Sequence, residues 1–591
     1  MFTAIDFVVF GLFLLLSILV GLYHGIRASF QKDHSKTSEY LTGGRKLPIF
    51  PVCLSLLTTF ISGIALLAGP SEIYLRGYAM GLSTLTGVLG FLFIAIFFIP
   101  MFYKLKFLNA YEYFEMRFDS PILRRIGTLM FMINTLIYMA IVVYAPAVAL
   151  SGVDHSIPLW PFVLAVGLVS TLYTAMGGIK AVIWTDSLQA FFLYVGLAVL
   201  LIKGTLDAGG FFKVIEVSEM TGRLTKAMAR FSPSLLQYHS FWIAQYGGVL
   251  HHICVFGLNQ MALQRYCSMP SLRDAKIVML LTIPASFLIS LMTGYIGLLM
   301  VAYFNGCDPL SLGEVKTADQ MSILLASRVL SGFPGLPGVF LATLFSATLS
   351  TVSSGINSMT AVLWEDFLKV PLRGLDDKSA ETLMKIITVL FGVLSTVMAF
   401  GCHNMGGIFH VAITFLGAST GPLVGLFFLG IFFPKANKYG AYAGFLIAML
   451  IMITISFQNN VEKPYQDYVL TRPTNETSQG CVNYSESQKL YTSALQEQYF
   501  ANHSPEIHFG REGSSWVARI SPYVYASMGV ALTIVIGLVV SYLVPQKLDS
   551  AKKRFAFACT YQGLNVEIDK STYYNSSSHQ LLEDEKKEAA G

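Results

Sequence analysis

Apolar segments long enough to cross a lipid bilayer as a helix recur along the whole sequence. Runs of about 20 residues, the length that a membrane helix needs, predict thirteen spans. These spans cover residues 5–24, 50–74, 80–102, 126–150, 159–176, 181–202, 241–260, 277–304, 339–364, 386–401, 408–433, 439–457 and 523–544. Because 54% of the 591 residues are hydrophobic and only 13% are charged, far fewer than in a soluble domain, the sequence predicts an all-α polytopic membrane protein.

The distribution of lysine and arginine predicts the orientation of the chain. Both residues are frequent in the loops after the first and third spans, whereas residues 151–158 contain neither. Short loops rich in these residues stay in the cytoplasm. Since an odd number of spans puts the two termini on opposite sides, we predict that the N-terminus lies outside and the C-terminus inside.

The longest predicted loop, residues 458–522, is polar and falls on the outer side of this topology. It carries three N-x-S/T sequons, and we predict glycosylation at Asn475, Asn483 and Asn502. A fourth sequon, at Asn575, lies on the inner side and is interpreted as a chance match.

Charge and cysteine content argue against several other classes of protein. The net charge of +5 is spread over the loops and does not indicate a nucleic acid partner. The seven cysteines lack CxxC spacing, so we expect free thiols, although Cys307 and Cys481 could meet outside the membrane. No HExxH or nucleophile motif lies in the spans, so an enzyme is not expected. We assign residues 1–544 to one transmembrane domain and residues 545–591 to a cytoplasmic, disordered tail.

Residues 339–364 are apolar enough for a membrane helix, yet they are rich in serine and threonine. Small and hydroxyl side chains recur there at three- and four-residue spacing, which places them in one stripe on a helix. The members of the stripe are Ala347, Ser350, Thr351, Ser354 and Ser358. Such a stripe is typical either of close packing between membrane helices or of a cation site built from hydroxyl and carbonyl oxygens.

Several long motifs decide how the chain is interpreted. They are EYLTGGRKL (39–47), GPSEIYLRGY (69–78), YTAMGGIKAVIWTDSLQ (173–189), NQMALQRY (259–266), ATLFSATLSTVSSGINSM (342–359) and GPLVGLFFLGIFFPKANKYGAYAG (421–444). Through them the chain resembles the sodium/solute symporter family, and within it the branch that carries multivitamins, monocarboxylates and iodide. The resemblance implies a LeuT-type fold, an inverted repeat of five helices with additional helices, in the plasma membrane. It also implies that Na⁺ is the coupling ion.

Helix-breaking residues interrupt the first helix of each predicted repeat. They are Gly63, Gly69 and Pro70 in the second span, and Gly247, Gly248 and Gly257 in the seventh. In inverted-repeat transporters such interruptions expose backbone carbonyls and half-helix ends near the membrane midplane, where ions and substrates bind. Any single residue of this set is better explained by ordinary helix packing.

The resemblance also implies sodium-binding residues. The family's sodium site corresponds here to Thr58, Ile61, Ala347, Ser350 and Thr351, with hydroxyls from the last two and main-chain carbonyls from the others. Asp186 matches a family acidic residue linked to sodium coupling near the inner face. Its alternative role is an ion pair at the cytoplasmic end with Lys180 or a nearby arginine.

The same resemblance implies a substrate cavity lined from the second, seventh and eleventh spans. The residues expected there are Phe60, Ala65, His252, Phe256, Phe409 and Ile413. Phe60 and Asn259 differ from the residues of the sugar carriers at these positions, so sugar recognition is not expected. His251, His252 and His410 could bind a carboxylate, or they could join helices by hydrogen bonds.

These features together predict a sodium-coupled symporter that imports a small organic anion by alternating access. Candidate substrates are a monocarboxylate or a vitamin such as biotin or pantothenate. The alternatives are an iodide-like inorganic anion, or a sodium-gated sensor or channel with the same fold and no transport.

Overall fold

The computed structural model describes residues 2–30, 36–105, 107–153, 158–310, 313–372, 374–402, 408–465, 469–470, 511 and 513–546. Its α-helices are α1 Ala4–Phe30, α2 Lys36–Thr42, α3 Ile49–Phe60, α4 Gly63–Arg76, α5 Ser83–Phe93, α6 Ile99–Leu105, α7 Glu112–Phe118, α8 Pro121–Val153, α9 Trp160–Asp207, α10 Phe211–Met220, α11 Thr225–Met228, α12 Phe241–His252, α13 Gln260–Tyr266, α14 Leu272–Tyr303, α15 Met321–Val329, α16 Leu336–Leu363, α17 Asp377–Gly401, α18 Ile408–Phe432, α19 Lys438–Glu462 and α20 Tyr525–Leu543. Short π-helical segments at Ile94–Phe98, Ile253–Gly257 and Trp364–Leu368 continue α5, α12 and α16. The predicted glycosylation sites Asn475, Asn483 and Asn502 lie outside the described residues.

The described residues contain ten helical segments that are long and apolar enough to cross a membrane. Two further pairs of helices pass the same test together, and each pair is bent by almost 60° at a short break. The pairs are α3 with α4, bent by 58°, and α12 with α13, bent by 59°. Counting each bent pair as one span gives up to twelve spans.

Helix α9 is a helical hairpin. Its 48 residues would extend about 72 Å as one straight helix, more than twice the apolar thickness of a bilayer. Ring contacts with α1 show that the chain reverses within α9. Phe10 and Phe13 lie about one turn apart on α1, yet the two rings that they contact are 30 positions apart in α9. These contacts are Phe10 with Phe162, at 6.1 Å between ring centroids, and Phe13 with Phe192, at 4.9 Å.

The reversal in α9 occurs at Gly178, which has a φ of 55°. A β-carbon at this glycine would lie 2.6 Å from the Tyr40 carbonyl oxygen, so both the backbone conformation and the space require glycine. The two arms of the hairpin correspond to the two predicted spans 159–176 and 181–202.

Helix α16 lies at the centre of the helical bundle. Every side chain from Phe340 to Val362 is buried, and α16 packs against α1, α3, α8 and α9. The serine and threonine residues predicted to form a polar stripe are therefore enclosed by protein and do not face lipid.

The breaks predicted from glycine and proline are present, but they are displaced from some of those residues. The first break lies at Ile61 and Ser62, immediately before Gly63, whereas Pro70 lies inside the continuous helix α4. A β-carbon on Gly63 would lie 2.4 Å from the Thr348 hydroxyl oxygen. Gly63 therefore lets the broken helix approach α16 closely. The second break lies at Leu258 and Asn259, directly after Gly257.

One cysteine differs from the sequence expectation. Cys307 is disulfide-bonded, whereas free thiols were expected. Among the described residues, Cys53, Cys254, Cys267 and Cys402 are free and buried, so the partner of Cys307 lies outside the described residues.

Candidate sodium and substrate sites

The last turn of α3 meets the middle of α16 through hydroxyl–carbonyl hydrogen bonds. The Ser350 hydroxyl donates to the Thr58 carbonyl oxygen at 2.8 Å, and the Thr351 hydroxyl donates to the Thr59 carbonyl oxygen at 2.9 Å. Both hydroxyls also donate to the Ala347 carbonyl oxygen, at 3.2 and 3.0 Å respectively. We call these five residues the oxygen junction; its side chains are at most 1% exposed.

The helix break explains why these carbonyl oxygens are available. Carbonyls in the last turn of a helix have no N–H partner four residues later, and α3 ends at Phe60. The serine and threonine of α16 therefore supply the missing donors. Hydroxyl and carbonyl oxygens are also the ligands that a small hard cation prefers, so the donor set fits Na⁺.

Four of the sequence-predicted sodium residues come together in the oxygen junction: Thr58, Ala347, Ser350 and Thr351. Thr59 joins them through its carbonyl and was not predicted. Ile61 lies in the break itself with φ −91° and ψ 88°. Among the described residues, no hydrogen bond joins the Ile61 carbonyl oxygen to the hydroxyl of Ser350 or Thr351.

Asp186 lies next to the oxygen junction and not inside it. It is completely buried and pairs with Arg265, with 3.1 Å between Oδ2 and Nη2. The Ser55 hydroxyl donates to the same carboxylate oxygen at 2.5 Å. Arg265 also donates to the Ser354 hydroxyl oxygen, which lies 3.0 Å from the Thr59 hydroxyl oxygen.

This network changes the interpretation of Asp186. Lys180, one of the two expected types of partner, pairs with Glu39 instead. The partner is an arginine, as the other alternative held, but the pair is buried in the bundle and does not lie at its cytoplasmic surface. Two routes link Asp186 to the oxygen junction. One runs through Ser55, whose carbonyl oxygen accepts from the Thr59 hydroxyl at 2.7 Å. The other runs through Arg265 and Ser354 to the same hydroxyl.

A cavity of about 360 Å³ lies beside the same helix break. Four of the predicted substrate residues line it: Phe60, Ala65, His252 and Ile413. His251, also noted in the sequence, lines it as well. Side chains of α4, α8, α12 and α18 surround the cavity, and most of its lining is apolar.

Other predicted substrate residues are placed differently. Phe256 lies behind the lining, where its ring contacts Phe60 at 4.8 Å and Phe91 at 4.7 Å between centroids. Phe409 belongs to α18, but its side chain lies outside the part of the structure that is described. His410 does not line the cavity, because its Nε2 atom bonds to the Asn459 side chain at 2.7 Å.

Sequence reasoning missed the contribution of α8 to the cavity. Phe131, Asn134, Thr135 and Tyr138 all line it. Their spacing of three and four residues places them on one face of the helix. Polar residues at this spacing inside the fourth span were the available signal.

The electrostatics of the cavity come from backbone and neutral groups. Within the described residues, no lysine, arginine, aspartate or glutamate lines it. Helix α4 begins at its wall, where Ser62, Ile64 and Ala65 are lining residues. The first N–H groups of a helix have no intrahelical acceptor and carry partial positive charge, so this helix end favours an anion.

Buried charged groups lie behind part of the cavity lining. His239 lines the cavity, and its Nε2 atom bonds to Glu72 at 2.8 Å. Glu72 also pairs with Arg76 at 2.6 Å. Burial lowers the pKa of His239, although Glu72 acts in the opposite direction, so the imidazole ring is neutral at pH 7.

Comparison with known proteins identifies the family. Residues 40–448 match the family model described as "Sodium:solute symporter family". The chain is 33% identical to human sodium-coupled monocarboxylate transporter 1 over 547 residues, which covers 91% of this chain and 87% of the relative. It is also 33% identical to the human sodium/iodide cotransporter over 549 residues, covering 92% and 84% of the two chains.

A solved structure supports the fold. The substrate-bound, outward-open Na⁺-coupled sialic acid symporter superimposes with a TM-score of 0.71 at 21% identity, covering 93% of this chain and all of that one. Together, these matches show that the chain belongs to the sodium:solute symporter family, as a multi-pass plasma-membrane symporter that uses Na⁺ as coupling ion and is not an enzyme.

Proposed function

We propose that this symporter imports a small organic anion, a monocarboxylate or a vitamin such as biotin or pantothenate, by alternating access. The observation that carries the proposal is that one helix break serves two sites. On one side of the break, the carbonyls of Thr58 and Thr59 meet the hydroxyls of α16. Phe60 and Ser62, which lie within four residues of Thr58 along the chain, line the cavity. An ion at the first site therefore fixes the wall of the second.

The lining of the cavity supports an anion with an apolar body. The N-terminus of α4 supplies N–H donors and partial positive charge for the anionic end. Apolar side chains such as Phe60, Ile413 and Val424 supply contact area for the rest of the molecule. A volume of about 360 Å³ lies at the lower end of the range for small-molecule sites. The names of the monocarboxylate relatives agree with this class.

For the coupling ion, we assign Na⁺ to the oxygen junction. Thr58, Ala347, Ser350 and Thr351 would hold it, and Ile61 would contribute its carbonyl after a small change at the break. The hydroxyls of Ser350 and Thr351 would turn their oxygens toward the ion. Asp186 would act through its network with Arg265 and Ser354, and not as a direct ligand.

The topology is part of the proposal. Dividing α9 at Gly178 adds one crossing to the twelve, which makes thirteen spans with the N-terminus outside and the C-terminus inside. The arrangement would be the LeuT-type inverted repeat with additional helices. Residues 1–544 would form the transmembrane domain, and residues 545–591 would be a cytoplasmic tail.

An inorganic anion is the second candidate substrate. The sodium/iodide cotransporter is as similar to this chain as the monocarboxylate transporters are. A cavity with mostly apolar lining and no charged side chain among the described residues also suits a large, weakly hydrated anion.

Uptake in cells that express the chain tests these alternatives. Radiolabelled butyrate, biotin, pantothenate and iodide would each be measured in sodium buffer and in choline buffer, with labelled glucose as a neutral control. We expect sodium-dependent accumulation of at least one carboxylate and none of glucose. Sodium-dependent accumulation of iodide alone would establish the second candidate. A sodium current without accumulation of any solute would instead indicate a sensor or channel.

A further inference from the structure

Asn134 presents an unused amide to the cavity. It lies in the middle of α8, its residue is only 7% exposed, and it belongs to the cavity lining. Its Oδ1 atom is fully buried without a hydrogen-bond partner. No hydrogen bond joins its amide nitrogen to another described residue either. Whichever way the amide is turned, it therefore offers both donors and an acceptor.

Four other polar side chains of the lining already make hydrogen bonds within the protein. The His252 Nδ1 atom bonds to the Gly248 carbonyl oxygen at 2.7 Å, and His239 bonds to Glu72. The Asn259 side chain accepts from the Met261 N–H at 2.9 Å, and the Ser83 hydroxyl donates to the Met80 carbonyl oxygen at 2.7 Å. Asn134 differs from these four side chains because its amide makes no hydrogen bond to another described residue.

Leaving a buried amide without partners is unfavourable. A leucine, which has the same branching at Cγ, would satisfy an apolar wall without this cost, so the amide at this position requires a partner that enters the cavity. Its neighbours on the same face of α8 are Phe131 and Tyr138, one turn away on either side. The aromatic rings and the helix backbone limit where the amide can point.

We propose that Asn134 is a specificity-determining residue whose amide donates a hydrogen bond to the carboxylate of the transported anion. The inference rests on the proposed function and deepens it. A carboxylate presents directed oxygen acceptors that a fixed amide N–H can meet. A halide is spherical and gains less from one directed donor. Asn134 therefore favours carboxylates over iodide, while the α4 N-terminus attracts either anion.

The test compares variants of Asn134 with a control that lies outside the cavity lining. Uptake of labelled butyrate and of labelled iodide would be titrated for Asn134→Leu, Asn134→Asp and Asn134→Ser, after surface labelling to correct for protein amount. The control is Ser419→Ala, which removes a buried hydroxyl on α18 that donates to the Phe415 carbonyl oxygen of its own helix at 2.9 Å. Sodium would be titrated at fixed butyrate for every variant.

We expect Asn134→Leu to raise the half-saturating butyrate concentration at least tenfold. The half-saturating sodium concentration and any iodide uptake should change less than threefold. Asn134→Asp keeps the size but places a negative charge beside the anion, so it should lose butyrate uptake. Asn134→Ser keeps a donor and should fall between the wild type and the leucine variant, and Ser419→Ala should stay within threefold of the wild type.

Two results would overturn the inference while the proposed function stands: an unshifted butyrate curve for Asn134→Leu, or equal shifts for Asn134→Leu and Ser419→Ala. If Asn134→Leu does not reach the surface, normal butyrate uptake by the near-isosteric Asn134→Asp would overturn it. Failure of the proposed function is distinct, because the wild-type protein itself would then accumulate no carboxylate. That result would remove the inference as well.

Discussion

The Thr351 hydroxyl donates to the Thr59 carbonyl oxygen over 2.9 Å, although 292 residues separate the two along the chain. The bond joins the central helix α16 to the last turn of α3, directly before the helix break. It occupies the same oxygen atoms that a sodium ion would need. At the proposed sodium site, binding of the ion would exchange this hydrogen bond for coordination, and the position of α3 against α16 would become sensitive to sodium.

Thr351→Ala separates ion binding from helix packing. If Thr351 only packs, its loss removes one interhelical hydrogen bond worth about 0.6 kcal/mol, and uptake should fall less than threefold. If it binds sodium, a dehydrated ion loses one ligand, and we expect the half-saturating sodium concentration to rise at least tenfold. Thr351→Ser keeps the hydroxyl oxygen, so the half-saturating sodium concentration should be nearly unchanged.

The control for this experiment lies on the same helix. Thr360 is also buried, and its hydroxyl donates to the Ile356 carbonyl oxygen at 3.0 Å, two and a half turns from Thr351. Thr360→Ala should leave the sodium titration unshifted. If Thr351→Ala reaches the surface at the normal level and its sodium titration curve is unshifted, the stripe serves only helix packing.

The buried pair of Asp186 and Arg265 should show strong coupling. Asp186→Asn leaves the Arg265 guanidinium buried without its counter-charge, and breaking such a pair costs about 3–5 kcal/mol. Adding Arg265→Gln removes the uncompensated charge. We therefore expect the double variant to be less destabilised than the sum of the two single variants, by thermal unfolding in detergent. Strictly additive losses would mean that the two side chains do not depend on each other.

Asp319 should make the stability of the protein depend on pH. Burial and the nearby negative charge of Glu72 raise its pKa to about 6, from an ordinary value of about 3.9. The folded protein thus holds the proton more tightly than the unfolded chain does, and stability rises as pH falls through 6. Asp319→Asn should raise the melting temperature at pH 7.5 and flatten its dependence on pH between about 4 and 6. The difference between the variant and the wild type should shrink as the pH falls through this window and disappear only below the unfolded-state pKa of about 3.9. A wild-type melting temperature that falls from pH 7.5 to pH 5.5 would contradict the assignment.

Glycosylation tests the orientation of the last spans. We expect the mobility shift caused by a glycosidase to disappear when Asn475, Asn483 and Asn502 are all changed to Gln. Asn575→Gln should change nothing, because the proposed topology places that sequon in the cytosol. A shift that survives the triple change and disappears with Asn575→Gln would put the C-terminal tail outside.

Local patterns predicted those parts of the molecule that depend on neighbouring residues in the chain. The stripe around Ser350 and Thr351 follows from helical spacing, and the breaks follow from glycine close to positions 62 and 258. The partner of Asp186 did not follow, because Arg265 is 79 residues away and only the packing of α9 against α13 and α3 brings the two together. The position of Asn134 in the cavity lining could not be predicted either, because the sequence pattern of one amide in an apolar span is the same whether the amide joins two helices or faces a cavity.

With sodium bound at the proposed site, the ion pair between Asp186 and Arg265 would also determine how much electric charge a transport cycle moves. Its carboxylate is already neutralised, and the oxygen junction consists of uncharged carbonyls and hydroxyls, so a sodium ion bound there keeps its full positive charge. One such ion and one monovalent anion would cross together without net current, and the membrane potential would do no work on them. Any further sodium would carry one charge, worth about 2.3 kcal/mol per 100 mV. The inward current per anion therefore counts the sodium ions beyond the first.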